Sequence, residues 1–226
     1  LMQAVQRPGL PLQGALPLSA VLGPQLLFAH QQALGRPAVA AGEAAATGGA
    51  PQARALVQEY RLAVLAVSLW AVGLEPAQLA PELHWAASPE PRRPVALRGR
   101  LDHALHFLVS ALLTMGADTG VADALGLYKE LADVGDRQGS GFSFDDIAAD
   151  KAGVAFGNLA LRRPGVLAER LPLLIDDVFI MPDVAGLPSG LSAAEFEARF
   201  GQVHSPAYRA VLAEVERRVA ALPISR

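Results

Sequence analysis

The amino-acid sequence predicts an all-α protein, an irregular helical bundle with an extended N-terminal arm and Pro-rich loops. Three observations favour this class. Apolar residues recur at helical spacing, helix-starting and helix-ending residues stand at the edges of those segments, and no segment shows the alternation of a half-buried strand. The chain has 226 residues, of which 52% are hydrophobic, so it can bury a sizeable core.

We divide the chain into an N-terminal arm, residues 1–50, and a single helical domain, residues 51–226. The arm is rich in Pro, Gly, Gln and Ala, and it contains one short predicted helix at about residues 22–34. A strongly apolar helix is predicted over residues 52–72. Its most apolar run, residues 62–74, is shorter than the roughly 20 residues that span a bilayer. We therefore predict a buried core helix and no membrane span.

Three helices are predicted in the middle of the chain, after a Pro-rich linker at residues 75–94. They cover residues 98–115, 121–134 and 143–162, and we expect them to carry the polar cluster of the protein (about residues 98–162). Ser143 is a candidate N-cap for the third helix. The prolines of residues 171–190 favour an extended arm, although its Val and Ile content permits a short strand.

Two further helices are predicted near the C-terminus. Ser192 and Glu195 have the spacing of a capping box, and Pro206 follows Ser205 at a first helical position. Glu214 and Arg218 are spaced as an exposed ion pair on the last helix.

Composition excludes several classes of function. The net charge of −3 argues against nucleic acid as a partner, because phosphate binding requires a surplus of Lys and Arg. The absence of cysteine excludes disulfides, thiolate metal sites and a Cys nucleophile. The basic residues comprise 17 Arg and 2 Lys, and this bias, with abundant Ala, Gly and Pro, indicates a GC-rich bacterial genome.

Helical spacing places polar residues of the three helices on defined faces. On the third helix two aspartates and two glycines follow one another at i, i+4, i+7 and i+11, and glycines on one face indicate the close approach of another helix. The candidate ligand or metal-binding residues are Asp102, His106, Glu130, Asp133, Asp146 and Asp150. The supporting residues are Lys129, Ser143, Lys151, Gly153 and Gly157.

Clustered carboxylates need compensating charge, and two compensators are open. Lys129, Lys151 and His106 could form an ion-pair network, or one divalent metal ion could bind among the acids. Asp146 has two interpretations, a capping-box acid after Ser143 or a side chain directed at the neighbouring helix. We interpret His103 as a surface histidine or one whose hydrogen bonds are satisfied.

The order of these motifs resembles a known family. Asp102, His106 and Phe107 form D-x-x-x-H-F, Lys129 begins K-E-x-x-D, and Gly141 begins G-F-S-x-x-D-x-x-x-D-x-x-G-x-x-x-G. This order resembles the YfiM-like bacterial envelope lipoproteins and, more distantly, VanZ-like proteins, over residues 98–160. VanZ-like proteins are embedded in the membrane, whereas residues 121–134 are too charged to span one. The resemblance implies an envelope setting and no particular reaction.

Two functions follow from these patterns. The first is a non-catalytic envelope protein, with a binding or structural role, in which the polar cluster fixes the fold and the Pro-rich arms bind a protein partner. The second is a divalent-metal-dependent hydrolase of the cell envelope that uses the cluster. The expected location is the periplasm or the outer membrane, with the cytoplasm as the alternative. The first residue is Leu1, which is compatible with a lipid anchor in the precursor.

Overall fold

The structure, a computed structural model, describes residues 14–35, 51–73, 93–116 and 141–225. It confirms the predicted all-α class. The helices of the described part are α1 (Leu18–Gly35), α2 (Pro51–Val72), α3 (Leu101–Gly116), α4 (Phe144–Arg162), α5 (Pro164–Arg170), α6 (Ala193–Phe200) and α7 (Pro206–Ala220). Short 3-10 turns occur at Leu171–Leu173, Asp177–Phe179 and Pro223–Ser225. The predicted helix at residues 121–134 lies outside the described residues.

Helices α1 and α2 pack against each other in the core. Leu18, Leu22 and Leu26 recur every four residues along α1 and are fully buried. From α2, Val64 and Val67 are equally buried. The short helix predicted within the N-terminal arm thus begins at Leu18 and contributes directly to the core.

By length and composition, α2 is also apolar enough to cross a membrane, and 44% of its most apolar window is buried in the molecule. Core helices of water-soluble proteins have the same properties. Among the described helices, α2 is the one with this combination of length and hydropathy.

Helices α3 and α4 lie side by side and run parallel. Their contacts advance in the same direction along both helices, from His103 beside Asp145 to Ala111 beside Gly157. A Cβ atom added at Gly153 would lie 2.2 Å from the backbone oxygen of Phe107. The close approach predicted from the two glycines is confirmed, and it brings the N-terminal ends of both helices together.

A buried aspartate connects three parts of the fold. β1 (Leu16–Pro17) pairs in parallel with β2 (Val95–Ala96), and the Asp177 side chain binds residues that follow each strand. Its carboxylate accepts hydrogen bonds from the backbone N–H of Ser19, at 2.9 Å, and of Arg98, at 2.7 Å. One side chain therefore satisfies an amide in the first turn of α1 and an amide in the turn that follows β2.

The segment 171–190 is compact, which corrects the prediction of an extended arm. Leu171, Leu174, Ile180 and Met181 are buried along it, and the 3-10 turns bring them into the core. Hydrophobic burial at these positions outweighs the preference of the prolines for extended backbone. Beyond this segment, Phe142 forms an antiparallel bridge with Leu191.

The C-terminal helices begin as predicted. Ser192 and Glu195 form a complete capping box at α6. The Ser205 hydroxyl accepts a hydrogen bond from the backbone N–H of Tyr208, with Pro206 in the first turn of α7. Glu214 pairs with Arg218, and also with Arg217.

Candidate metal centre

The cluster lies in the first turns of α3 and α4, where the two helices run side by side. We call His103, Asp145 and Asp146 the metal centre, because they form a group that could hold a metal ion. The Nε2 atom of His103 lies 3.4 Å from Oδ2 of Asp145 and 3.7 Å from Oδ1 of Asp146. The positive N-terminal ends of both helix dipoles favour negative charge here. This explains how two adjacent aspartates are accommodated in the first turn of α4.

The metal centre is buried, and its polar atoms are incompletely satisfied. The His103 side chain is 2% exposed, that of Asp145 is 7% exposed and that of Asp146 is 13% exposed. Neither ring nitrogen of His103 makes a hydrogen bond with a described residue, and the same holds for Oδ1 of Asp146. A buried polar atom without a partner costs about 1–3 kcal/mol. The centre therefore has free donor atoms that a ligand would satisfy.

A second His–Asp pair lies on the solvent side of the metal centre. Nδ1 of His106 is 3.1 Å from Oδ1 of Asp150, and the Ser110 hydroxyl donates to the same oxygen at 2.8 Å. The side chains of His106 and Asp150 are each about two-fifths exposed. The hydrogen bond to Asp150 raises the pKa of His106 above its usual value. Nε2 of His106 lies 3.9 Å from Oδ2 of Asp146, which connects the pair to the metal centre.

Burial raises the pKa of the Asp146 carboxyl above its usual value. The charge of His106 opposes this rise, and the charge of Asp145 adds to it. A carboxylate in this position binds a proton more readily than one in water.

Arg100 is the cation that contacts the metal centre among the described residues. Its Nε donates to Oδ1 of Asp102 at 2.9 Å, and its Nη2 makes a second contact with the other oxygen of that carboxylate. Its Nη1 reaches Oδ2 of Asp145 at 3.5 Å. The guanidinium lowers the pKa of Asp102 to about 2, chiefly through their hydrogen bonds.

Ser143 and Asp146 do not form the capping box that is one of the two interpretations of the sequence. Ser143 stands at the N-cap of α4, but its hydroxyl makes no capping hydrogen bond. It accepts instead from the backbone N–H of Gly190 at 2.9 Å. The neighbouring Ser189 hydroxyl donates to Oδ2 of Asp145 at 2.9 Å. The alternative interpretation of Asp146, a side chain directed at the neighbouring helix, describes its position.

The structure brings together part of the predicted set. His106, Asp146 and Asp150 lie in one cluster on the facing sides of α3 and α4. Asp102 lies at its edge, bound to Arg100. The other three residues of the set lie outside the described residues, namely Lys129, Glu130 and Asp133.

Lys151 belongs to one of the two open compensators, the ion-pair network, and the structure places its side chain away from the cluster. Its Nζ atom binds Oε1 of Glu216 at 2.7 Å, on the side of α4 that faces α7. Lys151 follows Asp150 directly, and adjacent residues on a helix point in directions about 100° apart. The compensating cation is Arg100, which stands just before α3.

Three residues of the cluster were missed in the sequence, namely His103, Asp145 and Arg100. His103 was predicted to be exposed or hydrogen-bonded, and it is buried without a hydrogen-bond partner among the described residues. Its spacing of three from His106 was an available signal, because residues three apart share a helix face. The adjacency of Asp145 and Asp146 was another, since both stand in the first turn of one helix.

The geometry of the metal centre is compatible with a divalent cation. Its three candidate ligand atoms lie within 4.8 Å of one another. Tetrahedral ligands at bonds of about 2.1 Å are roughly 3.4 Å apart, which is close to the observed His103–Asp145 separation. One imidazole and two carboxylates suit zinc, manganese or ferrous iron better than calcium or magnesium, which prefer oxygen ligands alone. Nδ1 of His103, from which metal-bound histidines usually donate, has no acceptor in the described part of the chain.

Comparison with known proteins identifies no relative: no family model matches the chain, and neither a similar curated protein nor a similar solved structure was found.

Proposed function

We propose that this protein binds one divalent transition-metal cation at the metal centre and uses it in a non-catalytic binding or structural role. The observation that carries the proposal is the buried His103 ring, whose Nε2 faces two carboxylate oxygens at 3.4 and 3.7 Å without a hydrogen bond. A cation between these atoms would satisfy all three at once.

Charge supports a cation over a neutral ligand. Among the described residues, the metal centre and its surroundings hold the carboxylates of Asp102, Asp145, Asp146 and Asp150, against the guanidinium of Arg100 and the imidazole of His106 when it is protonated. Burying several carboxylates costs several kcal/mol per ion unless a cation compensates them. A divalent ion would supply that compensation.

The test begins with elemental analysis of protein purified without chelator. We expect close to one equivalent of zinc, manganese or iron. Chelation should lower the melting temperature, and readdition of the same ion should restore it. At a free cation concentration 100 times Kd, binding stabilises the folded state by about 2.7 kcal/mol. A metal-free protein whose melting is indifferent to all three ions would contradict the proposal.

Variants assign the binding to the metal centre. His103→Gln and Asp145→Asn should remove the stabilisation by the cation, because each loses a ligand atom. His204→Gln is the matched control, because His204 is exposed and its ring packs against Tyr208. Cation-induced stabilisation that persists in both test variants would place the ion elsewhere.

A divalent-metal-dependent hydrolase is the second candidate, and the His106–Asp150 pair favours it. His106 is oriented by Asp150, is partly exposed, and lies beside the metal centre, so it could accept a proton from an attacking water. Assays of the metal-loaded protein on nitrophenyl esters and phosphates test this candidate. Turnover that disappears in His106→Gln while the cation stays bound would support it. Absence of turnover on both substrate classes would leave the binding role.

The bacterial cell-envelope location and the protein partner remain predictions from the sequence. Fractionation of the source cells, with detection of the chain by antibody, tests the location. Recovery in the cytoplasmic fraction would contradict it.

A further inference from the structure

Arg100 occupies the rim of the metal centre and contacts one of its ligand atoms. Its Nη1 lies 3.5 Å from Oδ2 of Asp145, the same oxygen that lies 3.4 Å from Nε2 of His103. The rest of the guanidinium is bound to the carboxylate of Asp102 through two nitrogens. A positive charge of the protein itself thus stands beside the position proposed for the cation.

We infer that Arg100 is a built-in competitor of the divalent cation, and that Asp102 limits this competition by holding the guanidinium at the rim. The inference rests on the proposed function, and it concerns how the affinity of that site is set. Asp102 then acts as a positioning residue for Arg100, and it is not a ligand of the ion.

The geometry supports this division of roles. A guanidinium with a bidentate carboxylate partner has its charge largely balanced and its orientation fixed. The remaining contact with Asp145 is at the long end of the hydrogen-bond range, so it is the contact that a cation can displace. Without Asp102, the arginine would be free to move fully onto Asp145, whose carboxylate would then be its nearest anion.

The size of the effect follows from the charges. Arg100 is 45% exposed, so its repulsion of a divalent ion is screened by water. A single charge and a double charge several Å apart in water interact strongly enough to change a dissociation constant by about tenfold. We therefore expect Arg100→Gln to bind zinc or manganese about tenfold more tightly than the wild type.

The experiment is a double-mutant cycle on the full chain, with affinities for zinc and manganese measured by competition against a chelator of known affinity. Asp102→Asn should weaken binding by about tenfold or more in the wild-type background, because it removes a carboxylate and releases the guanidinium. In the Arg100→Gln background the same change should cost less, because only the carboxylate charge is lost and no guanidinium is released.

Two controls separate charge from fold. Arg100→Lys keeps the positive charge but loses the bidentate contact with Asp102, so it should bind the cation more weakly than Arg100→Gln does. Arg217→Gln removes an equally charged arginine that is paired with Glu214 on the exposed face of α7, and it should leave the affinity unchanged. Circular dichroism of each variant verifies that the helices are retained.

The outcomes distinguish the inference from the proposed function. If the wild type binds the cation and Arg100→Gln binds it equally or more weakly, the inference is overturned and the function stands. An Asp102→Asn penalty of the same size in both backgrounds also overturns it, because Asp102 would then act through its own charge alone. If none of the four proteins binds zinc or manganese, the proposed function fails and the inference fails with it.

Discussion

The contact between α3 and α4 predicts that Gly153→Ala destabilises the protein although alanine is the better helix former. The added methyl group would lie 2.2 Å from the backbone oxygen of Phe107 and 2.9 Å from its carbonyl carbon. Real Cβ atoms essentially never come closer than 3.0 Å, so the two helices would have to separate. The obstacle is backbone of a core helix, which cannot rotate away as a side chain can.

Two opposing terms set the magnitude. The helix propensity of alanine favours the variant by about 1 kcal/mol. Overpacking of a well-packed interface costs about 1–3 kcal/mol, and an obstruction by backbone belongs at the upper end. We therefore expect a net loss of about 2 kcal/mol in the free energy of unfolding, measured by urea denaturation followed by circular dichroism.

A matched substitution in the adjacent helix isolates the packing term. A methyl group added at Gly165, in α5, would have no atom of the described residues within 4 Å, so Gly165→Ala should be neutral or stabilising by up to about 1 kcal/mol. Gly157→Ala should fall between the two, since its obstacles, Cβ of Thr114 at 2.8 Å and the backbone oxygen of Ala111 at 2.9 Å, are less close than the one at Gly153. A Gly153→Ala protein as stable as the wild type would refute the close packing of α3 and α4.

Three further predictions concern stability and protonation. Asp177→Ala should lower the free energy of unfolding by about 3 kcal/mol in urea denaturation, because it leaves two backbone amides without their acceptor; an unchanged midpoint would contradict this role. Ser192→Ala should cost about 1 kcal/mol through loss of the α6 capping box, whereas Glu197→Ala, exposed on the same helix, should be near neutral. In metal-free protein, NMR titration should give His106 a pKa above 6.5, and Asp150→Asn should lower it toward 6.5. Because the folded-state pKa is raised, the stability from protonated His106 is complete below the unfolded-state pKa and is lost as pH rises through the folded-state pKa.

The face of α4 could be predicted from the sequence because its spacing and its residue types agree. Four residues recur at helical intervals along this face, namely Asp146, Asp150, Gly153 and Gly157. Glycine in the interior of a helix lowers the stability of that helix relative to alanine. Only the approach of another helix explains them together. The structure confirms this face: both glycines contact α3, and both aspartates meet its histidines.

The opposing face of α3 could not be predicted in the same way. Apolar residues occur on most sides of α3, so its sequence does not define which side turns toward α4. The burial of His103 depends on that rotation, which is set by the packing of α2 and α4 around it. Ser143 shows a related limit, because its hydroxyl has two possible partners. The Ser143 hydroxyl accepts a hydrogen bond from the backbone N–H of Gly190 and not from an amide in the first turn of α4. Gly190 is 47 residues away in the sequence, and only the tertiary fold brings it near.

The coupling between packing and binding follows from the shared face of α4. The metal centre consists of side chains on two packed helices, so the separation of α3 and α4 sets the distances among its ligand atoms. Gly153→Ala should therefore weaken cation binding as well as stability, since one displacement of the helices causes both losses. Leu22→Ala leaves a cavity on α1, which packs chiefly against α2, so it should reduce stability while the affinity for zinc stays unchanged. Equal losses of affinity in the two variants would show that general destabilisation, and not the spacing of the helices, controls the site.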